Sequence, residues 1–167
     1  MEFIKWLIGT SLFGAVIGFF LGKFGTIWDD KRKEKGESSQ LFRNLLQEIG
    51  NNRFKCQAII QGRDAVYFEV YSWDVLRLSK YFSLLTSDRS LVDDLYNLYF
   101  SIYQANIRVG GVLSAIDSQI RTATINTNMA STTTQVLRDF LNVVLLPRLN
   151  ILEGNLSTFL RERKIIK

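Results

Sequence analysis

Residues 65–85 read AVYFEVYSWDVLRLSKYFSLL. The run carries apolar and aromatic side chains so densely that it suits a strand as well as a helix, and the choice separates an all-α chain from a mixed one. Its later half decides. Val75, Leu76, Leu78, Tyr81, Phe82 and Leu85 recur at helical spacing, and the segments on both sides are helical in pattern, so local and global preferences agree on a helix. The whole run is expected to be helical and the fold all-α.

Working upstream, Leu41, Phe42, Leu45, Leu46, Ile49, Cys56, Ile59 and Ile60 form the apolar stripe of an amphipathic helix running to about Gln61. Arg43, Gln47, Arg53 and Lys55 are left for its wet face. Gly62, Arg63 and Asp64 break it. Downstream, Thr86, Ser87 and Asp88 form a stop and a start, with Ser87 or Asp88 capping a long helix. Its stripe is Leu91, Leu95, Leu98 or Tyr99, Ile102, Ala105 or Asn106, Val109 and Val112, and Gly110 and Gly111 could bend it or admit a close neighbour. Residues 121–135, RTATINTNMASTTTQ, lose the periodicity and read as loop or frayed helix. The last segment is again helical, with Pro147 expected to kink it and Arg161, Arg163 and Lys164 favourable at its carboxyl end. Short connections between long amphipathic segments imply an antiparallel bundle of about four helices over residues 41–167.

The amino-terminal part is of another kind. Residues 6–22, WLIGTSLFGAVIGFFLG, carry no charge, and Lys5 and Lys23 at their borders can extend their stems toward headgroups. Trp6 and Trp28 are 22 residues apart, about 33 Å along a helix and close to the thickness of a bilayer's hydrocarbon layer. Residues 1–28 thus read as a single transmembrane anchor contacting membrane lipid, with Trp6, Trp28, Lys5 and Lys23 at its interfaces. A cleaved signal peptide fits less well, because no small-x-small site follows the apolar core. Residues 29–40 read as a polar juxtamembrane linker in which Ser38 or Ser39 can cap the next helix. Lys23, Lys31, Arg32, Lys33 and Lys35 follow the span and only Lys5 precedes it, so the positive-inside rule places the amino terminus outside and the body in the cytoplasm, anchored in the inner membrane. Thr10, Gly14, Gly18 and Gly22 recur every fourth residue, a small-residue stripe along which two backbones can approach, implying a homo-oligomer.

Composition excludes most chemistry. The chain has no His and one Cys among 167 residues, which removes histidine relays, histidine zinc sites, multi-cysteine metal sites and internal disulfides. Neither GxxxxGK[ST] nor GxGxxG occurs, so no phosphate cradle is legible. Asp93 and Asp94 are adjacent and diverge around a helix, Asp64 and Glu69 lack the lysine and strand context of a metal nuclease, and Cys56 falls on an apolar helix face. No catalytic residue, cofactor or metal is expected. The net charge of +5 is scattered, whereas nucleic acid calls for a continuous basic stripe.

LLQEIGNN at 45–52 and LVDDLYNLYFSIYQAN at 91–106 resemble a pattern of small uncharacterised prokaryotic membrane-anchored helical proteins, EIxxN after a membrane span, then an aromatic-rich helix, then LxxxYxxIxxxN. The matching residues are Glu48, Ile49, Asn52, Leu95, Tyr99, Ile102 and Asn106, and the resemblance implies the layout over residues 3–113 without an activity. Glu48, Asn52 and Asn106 stand beside apolar stripes and are candidates for an inter-helix polar network. Together these readings describe a non-enzymatic membrane-anchored interaction or scaffold protein that self-associates through its glycine face and meets a cytoplasmic protein partner. The alternative is a membrane-perturbing effector of a toxin or phage-defence type.

Overall fold

The computed structural model describes the backbone of residues 2–122 and 127–166, and the side chains of residues 23, 26, 29–120 and 131–166. It is all-helical, and no strand occurs among the described residues. The chain divides into two compact units, Met1–Ser39 and Gln40–Lys167. Helix α1 runs from Glu2 to Ile60, so residues 29–40, expected as a linker, are helical. Gly36 does not interrupt them, and Ser38 donates to the Lys35 carbonyl within the helix instead of capping a new one. Among the described residues no helix is long and apolar enough to cross a membrane. The expected span falls on residues whose side chains lie outside that description, as do Lys5, Trp6, Thr10, Gly14, Gly18, Gly22 and Trp28. Lys23 is exposed.

In the second unit α1 ends in a hydrogen-bonded cap. Gly62 adopts φ +98°, its N–H reaches the Ile59 carbonyl and the Arg63 N–H reaches that of Ala58, the paired closure that a left-handed residue after a helix allows. Arg138 Nε adds a donor to the Ile59 carbonyl at 3.2 Å, a cation where the helix presents its negative end.

Residues 63 and 64 continue the expected break, and residues 65–70 then depart from expectation. They are not helical, and helix begins at α2 (Tyr71–Leu78), followed by a 3-10 turn, Lys80–Leu84. The sequence RDAVYFEV is crowded with β-branched and aromatic residues, which favour extended backbone. Phe68 points into the core while Tyr67 and Glu69 point out, the alternation of a strand. Helix α3 (Arg89–Thr122) starts at Asp88, whose Oδ1 accepts the Leu91 N–H at 3.0 Å. Helix α4 (Thr127–Phe140), a π turn (Leu141–Leu145) and α5 (Leu146–Glu162) form one long rod. Residues 127–135, expected as loop or frayed helix, are helical. The π turn sits just before Pro147: the ring of a proline clashes with the carbonyl four residues back and removes a donor. The turn is widened there, and the Leu146 N–H bonds to the Leu141 carbonyl.

Successive elements oppose one another, as in an up-and-down bundle: the extended segment with α2 runs back along α1, from Lys55 at Tyr67 to Glu48 at Ser72. Residues 48 and 52 of α1 lie level with 99 and 106 of α3 through their shared partners, so these helices run parallel. The α4–α5 rod opposes both, with Arg138 at Ile59, Glu153 at Arg53 and Arg148 at Asn97. The extended segment and α2 together make the return between them, the segment covering its part at about 3.3 Å per residue. The core between the rods is built from Phe42, Leu45, Ile49, Leu76, Leu95, Ile102, Leu141 and their neighbours, all fully buried.

Candidate functional site

The extended connector cannot pair its own backbone, and buried N–H and C=O groups must find partners. Helix side chains supply them. Asn52, fully buried on α1, accepts the Glu69 N–H at 2.7 Å and donates to the Glu69 carbonyl at 2.8 Å. Asn106, half-buried on α3, does the same for Phe68, at 2.7 and 3.1 Å. Two side-chain amides thus grip successive residues of the connector from opposite helices, as neighbouring strands would. Lys55 Nζ reaches the Tyr67 carbonyl at 3.1 Å and the Glu69 carboxylate at 2.8 Å, and Asn51 adds a longer bond to the same carboxylate. The lysine bond holds the Glu69 pKa below its ordinary value.

One turn earlier on α1, buried Glu48 caps α2 from outside. Its Oε2 accepts the Ser72 N–H at 2.6 Å, and its Oε1 lies 3.4 Å from the Trp73 N–H and 2.6 Å from the Tyr99 hydroxyl that donates to it. A carboxyl group satisfies the open amides at a helix start and complements its positive end. Tyr99 is buried, and burial, reinforced by the Glu48 charge, drives its pKa far up, so its hydroxyl stays a donor. Trp73 stacks on Tyr99 with ring centroids 4.9 Å apart and meets Tyr96 and Phe82 edge-on, the geometries that ring quadrupoles favour.

Glu48, Asn52 and Asn106 therefore lie around one connector, though none of the three bonds to another; α1 and α3 are joined through Glu48–Tyr99 and through the gripped backbone. Sequence reasoning missed Lys55 and Tyr99 as members of this cluster. Tyr99 was readable as an alternative stripe position and as a residue of the LxxxYxxIxxxN pattern, and Lys55 as a solvated residue. Asp93 and Asp94 are exposed. Cys56 is fully buried, donates toward the Leu141 carbonyl at 3.6 Å, and has its pKa pushed up to about 12 by burial, an unreactive thiol. Among the described residues no group of three acidic or cysteine side chains is placed to hold a metal ion. The chemistry-bearing side chains of the cluster are committed to holding the connector, which makes it a structural clasp.

Outside the clasp the surface is markedly apolar. Tyr67, Tyr71, Phe100 and Ile107 are each more than half exposed, and Tyr96 and Tyr103 are exposed by more than two-fifths. The Tyr103 hydroxyl lies 3.2 Å from both oxygens of Asp74 on α2; burial and then that carboxylate raise its pKa. Gly110 lies beneath Tyr67, whose hydroxyl would stand 3.3 Å from an added Cβ. No family model matches the chain, and no curated protein or solved structure resembles it significantly.

Proposed function

We propose that the protein is a membrane-anchored, non-enzymatic interaction module. Residues 1–28 form its single transmembrane anchor, Thr10, Gly14, Gly18 and Gly22 bring anchors of neighbouring copies together, and the helical body works in the cytoplasm by contact. The observation that carries the interaction reading is the body's surface. Tyr71, Phe100 and Ile107 are left in water at 77%, 62% and 75% exposure, while Glu48, Asn52 and Asn106 are spent on rigidity. Phe100 and Ile107, seven residues apart, share one face of α3, and apolar surface gathered on one helix face marks a contact site. The anchor rests on the uncharged run 6–22 and on the lysine and arginine bias after it.

Replacing Gly14 and Gly18 by Leu keeps the run apolar but blocks close backbone approach. The variant should remain in membranes while its oligomer size in detergent micelles falls; an unchanged size refutes the glycine face. Membrane potential after induced expression separates this reading from an effector, since an interaction module leaves the cells polarised and a bilayer-perturbing protein does not.

A further inference from the structure

Helix α1 continues through residues 29–37, DDKRKEKGE, and every residue of that stretch is exposed. Along the chain its four acidic and four basic residues are mixed too closely to make a patch. The helix sorts them. At about 100° per residue, Lys31, Arg32 and Lys35 fall within one arc of about 100°, while Asp30, Lys33 and Glu37 each lie about 100° or more from all three. Asp29 and Glu34 flank the arc, each about 60° from its nearest cation. Lys31, Arg32 and Lys35 line one cavity of about 530 Å³ together with Asp29; among the described residues, Lys33 and the other acids do not line it.

Three cations on one face repel one another, and Lys31 and Lys35 stand at the i, i+4 spacing where like charges destabilise a helix. None of the three forms an ion pair among the described residues, so their charge is open to an anion from outside the fold. Their depth selects that anion. Lys31, Arg32 and Lys35 follow Trp28, the last residue of the proposed anchor, by three, four and seven positions, about 4.5, 6 and 10.5 Å along a helix. The headgroup layer on each side of a bilayer is about 5–8 Å thick. Lys31 and Arg32 thus stand at headgroup depth, and the flexible stem of Lys35 can reach back to it.

We propose that Lys31, Arg32 and Lys35 form a site for the phosphate of an anionic phospholipid in the cytoplasmic leaflet. The site rests on the anchor reading above and names the lipid that the anchor's inner end selects. Arg32 offers a planar fork that matches two phosphate oxygens, and the lysines add point charges beside it. A zwitterionic choline headgroup would set its own ammonium among these cations, so a headgroup of net negative charge fits better.

Spin-labelled lipids test the site on the full chain in vesicles. The chain is reconstituted in phosphatidylcholine containing a trace of spin-labelled phosphatidylglycerol or spin-labelled phosphatidylcholine, and electron spin resonance reads the fraction of label that the protein immobilises. Preference for the anionic label should be at least about fivefold, the factor that one basic residue contributes near an anionic surface. Lys35→Gln should cut it at least about twofold. Lys33→Gln removes the same charge about 3 Å nearer the membrane but on the opposite side of the helix, and should leave the preference within about 1.5-fold. Asp29→Asn, which removes the carboxylate lining the cavity, should raise it. Equal losses in the two lysine variants would mean a diffuse attraction and overturn the site, as would equal binding of the two labels. Inorganic phosphate at matched ionic strength should not displace the anionic label; displacement would assign the cavity to a soluble phosphate compound and overturn the lipid assignment. A chain that does not sediment with the vesicles overturns the anchor reading and the site together, whereas lost preference in a chain that does sediment overturns the site alone.

Discussion

Replacing Asn52 by Ala strips the Glu69 backbone of both of its Asn52 bonds, at 2.7 and 2.8 Å. A backbone group left unsatisfied costs about 1–3 kcal/mol. Two such groups, in a site where Asn52 itself has no solvent contact, give an expected loss of about 2–5 kcal/mol, a large part of a small domain's total stability. Glu69 also keeps Lys55 and Asn51 on its side chain, so the connector should loosen locally before the bundle opens. The full chain in detergent micelles is unfolded with denaturant while amide exchange is followed at Phe68 and Glu69. The Glu69 amide should lose protection most and the Phe68 amide, still held by Asn106, less. Asn51→Ala, which removes one exposed 3.3 Å bond, should cost less than about 0.5 kcal/mol. Asn52→Asp keeps the acceptor but sets an oxygen against the Glu69 carbonyl, and should not rescue. A loss under about 0.5 kcal/mol for Asn52→Ala, with unchanged protection at Glu69, would refute the clasp.

Alkaline conditions should weaken the fold through Cys56. Its thiol is held up to about 12 against an ordinary 9.0, so above pH 9 the unfolded chain releases a proton that the folded chain keeps, and stability falls with pH by up to about 1.4 kcal/mol per unit. By pH 10.5 the loss relative to pH 7 should be about 2 kcal/mol, and it should be smaller in Cys56→Ala; equal pH dependence in both would show that the buried thiol is not responsible. Gly62→Ala should destabilise by about 1 kcal/mol, because the left-handed φ of +98° is strained for any side chain. Arg138 Nη2, 3.7 Å from the added Cβ, leaves adequate space, so the cost is conformational, and an unchanged midpoint of denaturation would contradict the cap.

The helical rods were legible because their apolar stripes repeat over many turns. Leu91 to Val112 and most of Leu41 to Ile60 bury the residues expected of them, with Leu41, Leu46 and Ile60 only partly buried, and of the two expected caps it is Asp88 that serves. The connector was not legible for a specific reason. Its apolar residues are consecutive, a pattern that periodicity cannot assign, and helical neighbours biased the reading although the extended form was secured by partners remote in sequence. The sign of those partners was visible: Glu48, Asn52 and Asn106 are polar groups on otherwise apolar stripes. What could not be read was that they serve backbone, 17 to 38 residues away, and not one another. The continuation of α1 through residues 29–40 escaped notice because Gly36 and paired serines resemble a stop, whereas an exposed glycine inside a charged helix costs only about 1 kcal/mol. The π turn was half-visible, as Pro147 marked the place but not the way the rod would absorb it.

Residues 1–28 are proposed to hold the chain in the membrane, and alkaline carbonate extraction of membranes from expressing cells, with the full chain beside one lacking those residues, tests that anchor. The full chain is expected in the sedimented bilayer and the shortened one is not; release of the full chain into the supernatant would refute the anchor.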